Sequence, residues 1–271
     1  MPLLESPDTA LVTGASSGVG ATYADRLAQR GHPLVLVARR ADRLQALAER
    51  IERKYGVAAE VLAADLTSPP ERNAVEQRLR EDERIGLLVN NAGMVAGGSL
   101  AEASPDEVEA MIQLNVTAPT RLAGAMLPRL LARGRGGIIN IASVLALLPE
   151  LSRGAYPATS GYLLAYTRTL HEEVAGRGVR AQAVLPGITR SATWERASGD
   201  FDELPPSLVM EVAELVDAAL AGYDQGELVT VPALPDPAQW ERYEAARLAL
   251  APDLSRDHAA DRYKSDILED A

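Results

Sequence analysis

Residues 9–20 read TALVTGASSGVG, a short apolar run that opens directly into three spaced glycines. A helical pattern follows and ends near Gly31, so the stretch predicts a strand, a tight turn and a helix. Gly14 suits the turn, Gly18 lets a pyrophosphate approach backbone N–H groups, and Gly20 lets helix and strand pack closely. The helix dipole favours the phosphate charge, although a simple loop is the alternative. We therefore predict a phosphate-binding turn formed by Gly14, Ser16, Ser17, Gly18, Val19 and Gly20.

Short aliphatic runs followed by helical patterns recur along the chain. They predict strands at 9–13, 34–37, 61–64, 87–89, 138–142, 179–185 and 228–231. Helices are predicted at 43–55, 69–80, 104–126, 156–176, 207–221 and 238–250, and the third of these opens with a capping box, SPDE. This alternation is typical of an α/β fold with a doubly wound parallel sheet. We predict a single dinucleotide-binding domain over residues 1–271, with a helical C-terminal extension from about residue 233.

The second predicted strand ends in Ala38-Arg39-Arg40, with no acidic residue at the strand end itself. An acidic residue at this point accepts hydrogen bonds from the ribose of NAD, whereas arginine pairs with the 2′-phosphate of NADP. We therefore predict that Arg39 and Arg40 bind NADP. The alternative is that both arginines only cap a surface turn.

The composition narrows the classes of partner and site. A formal net charge of -11 argues against nucleic acid or an anionic membrane as the main partner, because both would repel the surface. The sequence has no cysteine, and His32, His171 and His258 lie far apart, so we expect no metal site. A signal-peptide pattern and an apolar run of about 20 residues are both missing, and we expect a cytoplasmic protein.

Three further motifs follow in order: Asn90-Asn91-Ala92-Gly93 after the fourth strand, Ser143 after the fifth, and Tyr156 thirteen residues later. Together with the glycine turn they resemble the short-chain dehydrogenase/reductase family over about residues 8–232. The resemblance implies a Rossmann fold with strand order 3-2-1-4-5-6-7. It also implies cofactor contacts at Asp65 and Leu66 beside the adenine, at Asn91, Ala92 and Gly93, at Pro186, Gly187 and Ile188 beside the carboxamide, and at Ser191 near the phosphates. For Asp65, a turn-initiating aspartate is the alternative.

The catalytic residues implied by the resemblance are Ser143, which would hold the substrate oxygen, and Tyr156, which would transfer the proton. The family's lysine would lie at Ser160, four residues after Tyr156 and on the same helix face. Serine carries no charge, and loss of a neighbouring cation leaves roughly 10- to 1000-fold less tyrosinate at neutral pH. Arg153 could supply positive charge or lie on the surface. We expect hydride transfer to be slowed, not abolished.

Asn115 lies on the apolar stripe of the predicted helix 104–126. Pro119, four residues on, lacks the N–H that would bond the Asn115 carbonyl, so this carbonyl can hold a water. The resemblance implies such a water in a proton relay, and a satisfied buried amide is the alternative. We expect Ser160 and water to replace the lysine in a relay to Asn115.

The sequence thus predicts an NADP-dependent oxidoreductase that interconverts a carbonyl and a secondary alcohol on a small or medium apolar substrate. Ser160 leaves two alternatives open: a cofactor-binding regulator that has lost redox activity, and a non-redox enzyme such as a cyclase or dehydratase. Residues 192–206 are predicted to form a substrate lid with Trp194 and Phe201 as apolar contacts. The resemblance implies a homodimer or homotetramer through helices 104–126 and 156–176.

Overall fold

The computed structural model describes residues 7–152, 154–190 and 204–264. Within these ranges seven strands form one sheet in the order β3-β2-β1-β4-β5-β6-β7, and each neighbouring pair is parallel. The doubly wound sheet and its predicted strand order are confirmed. The strands are β1 Thr9–Thr13, β2 Leu34–Ala38, β3 Ala59–Ala63, β4 Ile85–Asn90, β5 Gly136–Ile141, β6 Val179–Val184 and β7 Val229–Thr230.

Helices from α1 to α7 cover both faces of the sheet. The helices of the described chain are α1 Gly18–Gln29, α2 Ala41–Tyr55, α3 Pro69–Glu81, α4 Pro105–Ile112, α5 Ala118–Arg133, α6 Tyr156–Val174, α7 Val212–Gln225 and α8 Pro237–Leu248. The helix predicted at 104–126 is divided, because a π turn at Gln113–Thr117 joins α4 to α5.

Each strand buries alternate side chains on opposite faces of the sheet, as expected for a parallel sheet with helices on both sides. In β1, Ala10 and Val12 belong to a core cluster with residues of α1, α2 and α7. Leu11, between them, belongs to a second cluster with Leu88 of β4 and residues of α3, α5 and α6. The aliphatic runs of the sequence therefore supply both halves of the core.

Some predicted boundaries and caps differ from the structure. Ser104 precedes α4, but its side chain makes no capping hydrogen bond, so the predicted capping box is not formed. β3 begins at Ala59, two residues before the predicted start, since the exposed Glu60 of this edge strand hides the pattern. The helix predicted from residue 207 begins at Val212, because hydrogen bonds with Ile188 and Arg190 hold Met210 extended.

The chain divides into two compact units, Met1–Pro232 and Ala233–Ala271. The first contains the sheet and α1–α7. The second contains α8, in which the rings of Trp240 and Tyr243 lie 5.2 Å apart. Among the described helices, none combines the length and the apolar character needed to cross a bilayer.

Candidate active site

The glycine turn lies at the carboxyl end of β1, where the strand order of the sheet reverses. Ligands of parallel α/β sheets bind at such a point. Gly14 has a φ of 69°, and a Cβ placed on it would lie 2.6 Å from the side-chain nitrogen of Asn91. A Cβ on Gly20 would lie 2.5 Å from the carbonyl oxygen of Gly14. Side chains therefore do not fit at these two positions, and the close packing predicted for Gly20 is present.

Thr13 joins the carboxyl ends of β1 and β4. Its hydroxyl donates to the Val89 carbonyl at 3.2 Å and accepts from the backbone N–H groups of Asn91 at 2.9 Å and Ala92 at 3.0 Å. The Asn91 side chain donates in return to the Thr13 carbonyl at 2.9 Å. These bonds hold the Asn90-Asn91-Ala92-Gly93 segment against the glycine turn.

Arg40 lies over the glycine turn. One of its terminal nitrogens donates to the hydroxyls of Ser16 and Ser17, each at 2.9 Å. Ser17 is the N-cap residue just before α1, its side chain makes no capping hydrogen bond, and the first turn of that helix has no acidic residue. The guanidinium, the two hydroxyls and the helix N-terminus together form a group of donors that suits phosphate.

The loop after β3 is held by its own side chains. The Asp65 carboxylate accepts from the backbone N–H of Thr67 at 2.9 Å and from its hydroxyl at 2.7 Å, so Asp65 does initiate a turn. Arg39, mostly exposed, lies 3.8 Å from the same carboxylate. The buried Arg72 donates to the carbonyl of Leu66 at 3.0 Å. Side-chain hydrogen bonds therefore hold this loop both at Asp65 and at Leu66.

Ser143, Tyr156 and Ser160 come together beyond the end of β5. The Ser143 hydroxyl accepts from the Leu145 N–H at 3.2 Å. Tyr156 begins α6, and Ser160, one turn later, is only 3% exposed. Burial raises the pKa of the Tyr156 phenol above its ordinary value, and hydrogen bonds with the Ser160 and Ser143 hydroxyls oppose this rise only in part. The net direction of the Tyr156 pKa is therefore upward.

Asn115 lies in the π turn and is 8% exposed. Its side-chain oxygen accepts from the Met94 N–H at 2.9 Å, and its nitrogen donates to the Met94 carbonyl at 2.8 Å and to the Thr159 hydroxyl at 3.2 Å. Thr159 donates in turn to the Tyr156 carbonyl at 2.8 Å. The side-chain amide is thus satisfied by protein groups, while the proposed water site concerns the Asn115 backbone carbonyl.

The segment after β6 reaches the same edge of the sheet. Its Pro186 carbonyl accepts from the Val144 N–H at 3.0 Å, next to Ser143. A Cβ on Gly187 would meet nothing within 4 Å, and the Ile188 carbonyl accepts from the Met210 N–H at 3.0 Å. The structure thus brings this segment close to Ser143.

Several predicted residues lie outside the described chain. They are Arg153, Ser191, Trp194 and Phe201, together with most of the predicted lid at 192–206. These assignments stay predictions.

Three residues that hold the site were not predicted from the sequence. Thr13 was quoted only as part of the motif, although a hydroxyl at the end of a strand is a recognisable signal. Thr159 precedes Ser160 and links Asn115 to α6. For Arg72, the sequence offers no signal, because nothing local shows that a charged helix residue points inward.

An open cleft of about 810 Å³ lies beside Ser143 and Tyr156. Its wall includes Leu145, whose N–H donates to the Ser143 hydroxyl, and Pro157, which follows Tyr156. Neither Ser143 nor Tyr156 lines it, so it adjoins the site and does not contain it. The whole lining is Ser99, Leu100, Ala101, Leu145, Ala146, Pro149, Ser152, Gly154, Pro157, Ala158 and Gly161.

Comparisons with known proteins agree with this geometry. The family model described as short chain dehydrogenase matches residues 8–200. A short-chain dehydrogenase from Sphingobium yanoikuyae, solved in complex with NADPH, is 50% identical, with a TM-score of 0.92 and coverage of 95% of this chain and 100% of that one. The bulky-bulky ketone specific alcohol dehydrogenase from Comamonas testosteroni is 44% identical, with a TM-score of 0.88 and coverage of 96% and 100%.

A curated human relative, 17-beta-hydroxysteroid dehydrogenase type 3, is 34% identical over 185 residues. The match covers 68% of this chain and 59% of that protein, so the chain spans about three fifths of the length of this relative. The family match covers the glycine turn, the Asn90-Asn91-Ala92-Gly93 segment and the Ser143–Tyr156 pair. The chain belongs to the short chain dehydrogenase family.

Proposed function

We propose that this protein is an NADP-dependent oxidoreductase that interconverts a carbonyl group and a secondary alcohol. The observation that carries the proposal is the hydrogen-bonded group of Ser143, Tyr156 and Ser160 hydroxyls, which lies at the sheet edge that bears the glycine turn. Membership of the family supports the reaction class. The 50%-identical relative in complex with NADPH supports the cofactor.

The residues at this edge fit NADP. Gly14 and Gly20 keep side chains out of the turn, and α1 offers its first N–H groups to a pyrophosphate. Arg40, with Ser16 and Ser17, would hold the 2′-phosphate, assisted by Arg39. The other proposed contacts are Gly18 and Val19 at the phosphates, Asp65 and Leu66 at the adenine, Asn91, Ala92 and Gly93 at the nicotinamide side, and Pro186, Gly187, Ile188 and Ser191 at the carboxamide and phosphates.

Bound NADP would supply or accept the hydride. Ser143 would donate a hydrogen bond to the substrate oxygen and hold it near the phenol. Tyr156 would give that oxygen a proton during reduction and remove one during oxidation. Ser160 would hydrogen-bond the phenol and, with water, replace the lysine in a relay to the Asn115 carbonyl. Thr159, which accepts from the Asn115 amide and donates to the Tyr156 carbonyl, would hold Asn115 in place against α6.

The substrate is proposed to be small or medium in size and apolar. The cleft beside Ser143 and Tyr156 is lined by small and aliphatic side chains, among them Leu100, Leu145 and Ala146. Its size suits an apolar group attached to the reacting carbonyl, and the similarity to a bulky-bulky ketone specific enzyme supports this choice. Ala146→Phe would narrow the cleft and should raise KM for bulky ketones much more than for small aldehydes.

The absence of the motif lysine favours one other function, a cofactor-binding regulator without redox activity. Ser160 supplies no charge to the ribose or to the phenol. Lys54, the single lysine in the described part of the unit that contains the sheet, pairs with Asp25 at 3.6 Å. A protein of this kind would bind NADPH without turning it over.

The deciding experiment is NADPH oxidation with a panel of activated aldehydes, ketones and diketones. Tyr156→Phe should reduce the rate by about 10²- to 10⁴-fold, the usual contribution of proton transfer. Tyr162→Phe is the matched control, since Tyr162 lies on the same helix but bonds Thr120 at 3.0 Å, away from Ser143. NADPH binding without turnover in any variant would favour the regulator instead.

We also propose a homodimer or homotetramer formed through α4–α5 and α6. Ile112 of α4 and Tyr162 of α6 are 42% and 40% exposed, which leaves apolar surface on these helices. Light scattering after size-exclusion chromatography should give a mass of two or four chains. A monomer at micromolar concentration would contradict this assembly.

A further inference from the structure

We propose that Glu71 and Arg72, two neighbouring residues at the start of α3, are positioning residues for the adenosine half of the cofactor. Each holds one side of the loop after β3, which carries the proposed adenine contacts Asp65 and Leu66. The inference rests on the proposed binding of NADP and adds two residues that set its affinity.

Two hydrogen bonds from α3 enclose these contact residues. The Glu71 carboxylate accepts from the backbone N–H of Asp65 at 2.8 Å, and a terminal nitrogen of Arg72 donates to the backbone carbonyl of Leu66 at 3.0 Å. The first bond holds the peptide group before Asp65, and the second holds the peptide group after Leu66. The backbone dihedral angles between two planar peptide groups are its only soft ones, so α3 determines how both residues are presented.

The parts of this loop that can meet a ligand are its backbone and one carboxylate oxygen. Leu66 is 4% exposed and belongs to the same core cluster as Val75 and Leu79, so its side chain is not available. One oxygen of the Asp65 carboxylate accepts from the N–H and the hydroxyl of Thr67. The other Asp65 oxygen and the backbone are left to contact an adenine. Both move with the two peptide groups that α3 holds.

Arg72 is the buried member of a charge cluster between α3 and α5. Its side chain is 7% exposed, and its Nε lies 3.9 Å from the Glu76 carboxylate, too far for a hydrogen bond. Glu76 accepts from Arg121 of α5 at 2.5 and 2.9 Å and from Arg80 at 2.8 Å. A buried charge is unfavourable unless it is paired and hydrogen-bonded. The hydrogen bond that Arg72 makes goes to the Leu66 carbonyl, so the cluster places a charged donor on the loop.

The expected effect of removing either bond is a loss of preorganisation. About one loop residue would then become ordered only when the cofactor binds, which should weaken binding by about 5- to 30-fold. Ser143 and Tyr156 lie beyond β5, on the other side of β1 from the loop after β3. The KM for NADPH should therefore rise, while kcat at saturating NADPH should change less than twofold.

The first test compares Glu71→Ala with Glu71→Gln. Glu71 is exposed, so neither change disturbs the core. Glutamine keeps a side-chain oxygen that accepts from the Asp65 N–H, whereas alanine has none. Glu71→Ala should bind NADPH, followed by nicotinamide fluorescence, and adenosine 2′,5′-bisphosphate, followed by displacement of NADPH, about 5- to 30-fold more weakly. Glu71→Gln should stay within about threefold of the native protein for both ligands, since an exposed charge contributes little.

The second test compares Arg72→Met with Arg80→Met. Methionine has a side chain of similar reach without a donor. Arg80 donates to the same Glu76 carboxylate as part of the cluster, whereas the bond to the loop comes from Arg72. Arg72→Met should weaken both ligands about 5- to 30-fold, and Arg80→Met less than twofold. Equal losses in the two variants would show that the cluster acts only through general stability and would overturn the role of Arg72.

Binding is measured without turnover, so this inference and the proposed reaction fail separately. Equal NADPH affinities of Glu71→Ala and Glu71→Gln would overturn the positioning role. A loss for NADPH without a loss for adenosine 2′,5′-bisphosphate would also overturn it, because the effect would then lie outside the adenosine half. The expected losses in a protein that never oxidises NADPH would support the inference and contradict the oxidoreductase. A native protein that binds no NADPH would overturn both.

Discussion

Substitution of Arg40 is the most direct test of how this chain would select NADP over NAD. Its guanidinium donates to the hydroxyls of Ser16 and Ser17 at 2.9 Å, which holds a positive charge over the glycine turn before any ligand binds. Hydrogen bonds to charged groups contribute about 1.5–3 kcal/mol each, and 1.4 kcal/mol corresponds to a factor of ten. Arg40→Gln should therefore weaken NADPH binding by about 10- to 150-fold. Because the side chain is exposed, we expect a value near the lower end.

NADH is the control ligand, because it lacks the 2′-phosphate. Its affinity, measured by nicotinamide fluorescence, should change less than twofold in Arg40→Gln, since glutamine can still donate to Ser16 and Ser17. Arg39→Gln should have a smaller effect on NADPH, because Arg39 is 74% exposed and lies 3.8 Å from Asp65. Higher salt should weaken NADPH binding more in the native protein than in Arg40→Gln. Equal losses for NADPH and NADH would refute the reasoning and show that Arg40 only supports the turn.

Three further predictions concern stability and the relay. A Cβ on Gly20 would lie 2.5 Å from a backbone oxygen, so Gly20→Ala should lower the free energy of unfolding by about 1–3 kcal/mol. Gly124 is exposed within α5 and a Cβ there would meet nothing within 4 Å, so Gly124→Ala should raise the free energy of unfolding by up to about 1 kcal/mol. Urea denaturation of both variants measures these opposite changes. Burial alone would raise the pKa of Glu76, but arginine hydrogen bonds bring it below its ordinary value. The stabilisation by Glu76 is thus present above pH 4.5 and is lost as pH falls through the lower folded-state pKa. Glu76→Gln should therefore lower the free energy of unfolding by about 3 kcal/mol at pH 7 and by much less in acid. A difference in unfolding free energy between the two proteins that stays constant from pH 7 to pH 2 would contradict this. Thr159→Val removes the acceptor of the Asn115 amide, and should lower kcat by about tenfold with little change in KM for NADPH; a change in KM alone would argue against a relay role.

The fold was largely predictable from local sequence. Residues 9–20 predicted β1, the glycine turn and α1, and all seven strands were predicted to within about two residues. The π turn at Gln113–Thr117 was not predicted, although Pro119 indicated that one helical hydrogen bond, to the Asn115 carbonyl, is missing. Its cause is partly tertiary, because the Asn115 amide is bound to Met94 on another segment.

The candidate site was predictable as a set of residues but not as a set of contacts. Ser143, Tyr156 and Ser160 were predicted from their spacing and from the family resemblance. The role of Thr13, which binds Asn91 across the sheet, was not. Neither was the burial of Arg72 against Leu66. Such residues have ordinary sequence neighbourhoods, so only packing reveals them.

The family resemblance supplied the strand order. The sequence by itself determined the aliphatic runs of the strands, the position of the glycine turn and an uncharged Ser160 at the place where the resemblance implies a lysine. These are local properties, since a glycine with positive φ, an aliphatic run or a missing charge needs no partner to be recognised. The tertiary structure alone decided that Arg40 donates to two serines 24 and 23 residues away and that Asn115 donates to Thr159 across 44 residues. It also decided that the Tyr156 phenol is buried near the hydroxyls of Ser143 and Ser160. Hydrogen bonds and desolvation depend on the distance in space between groups, and that distance is set only when the helices pack on the sheet.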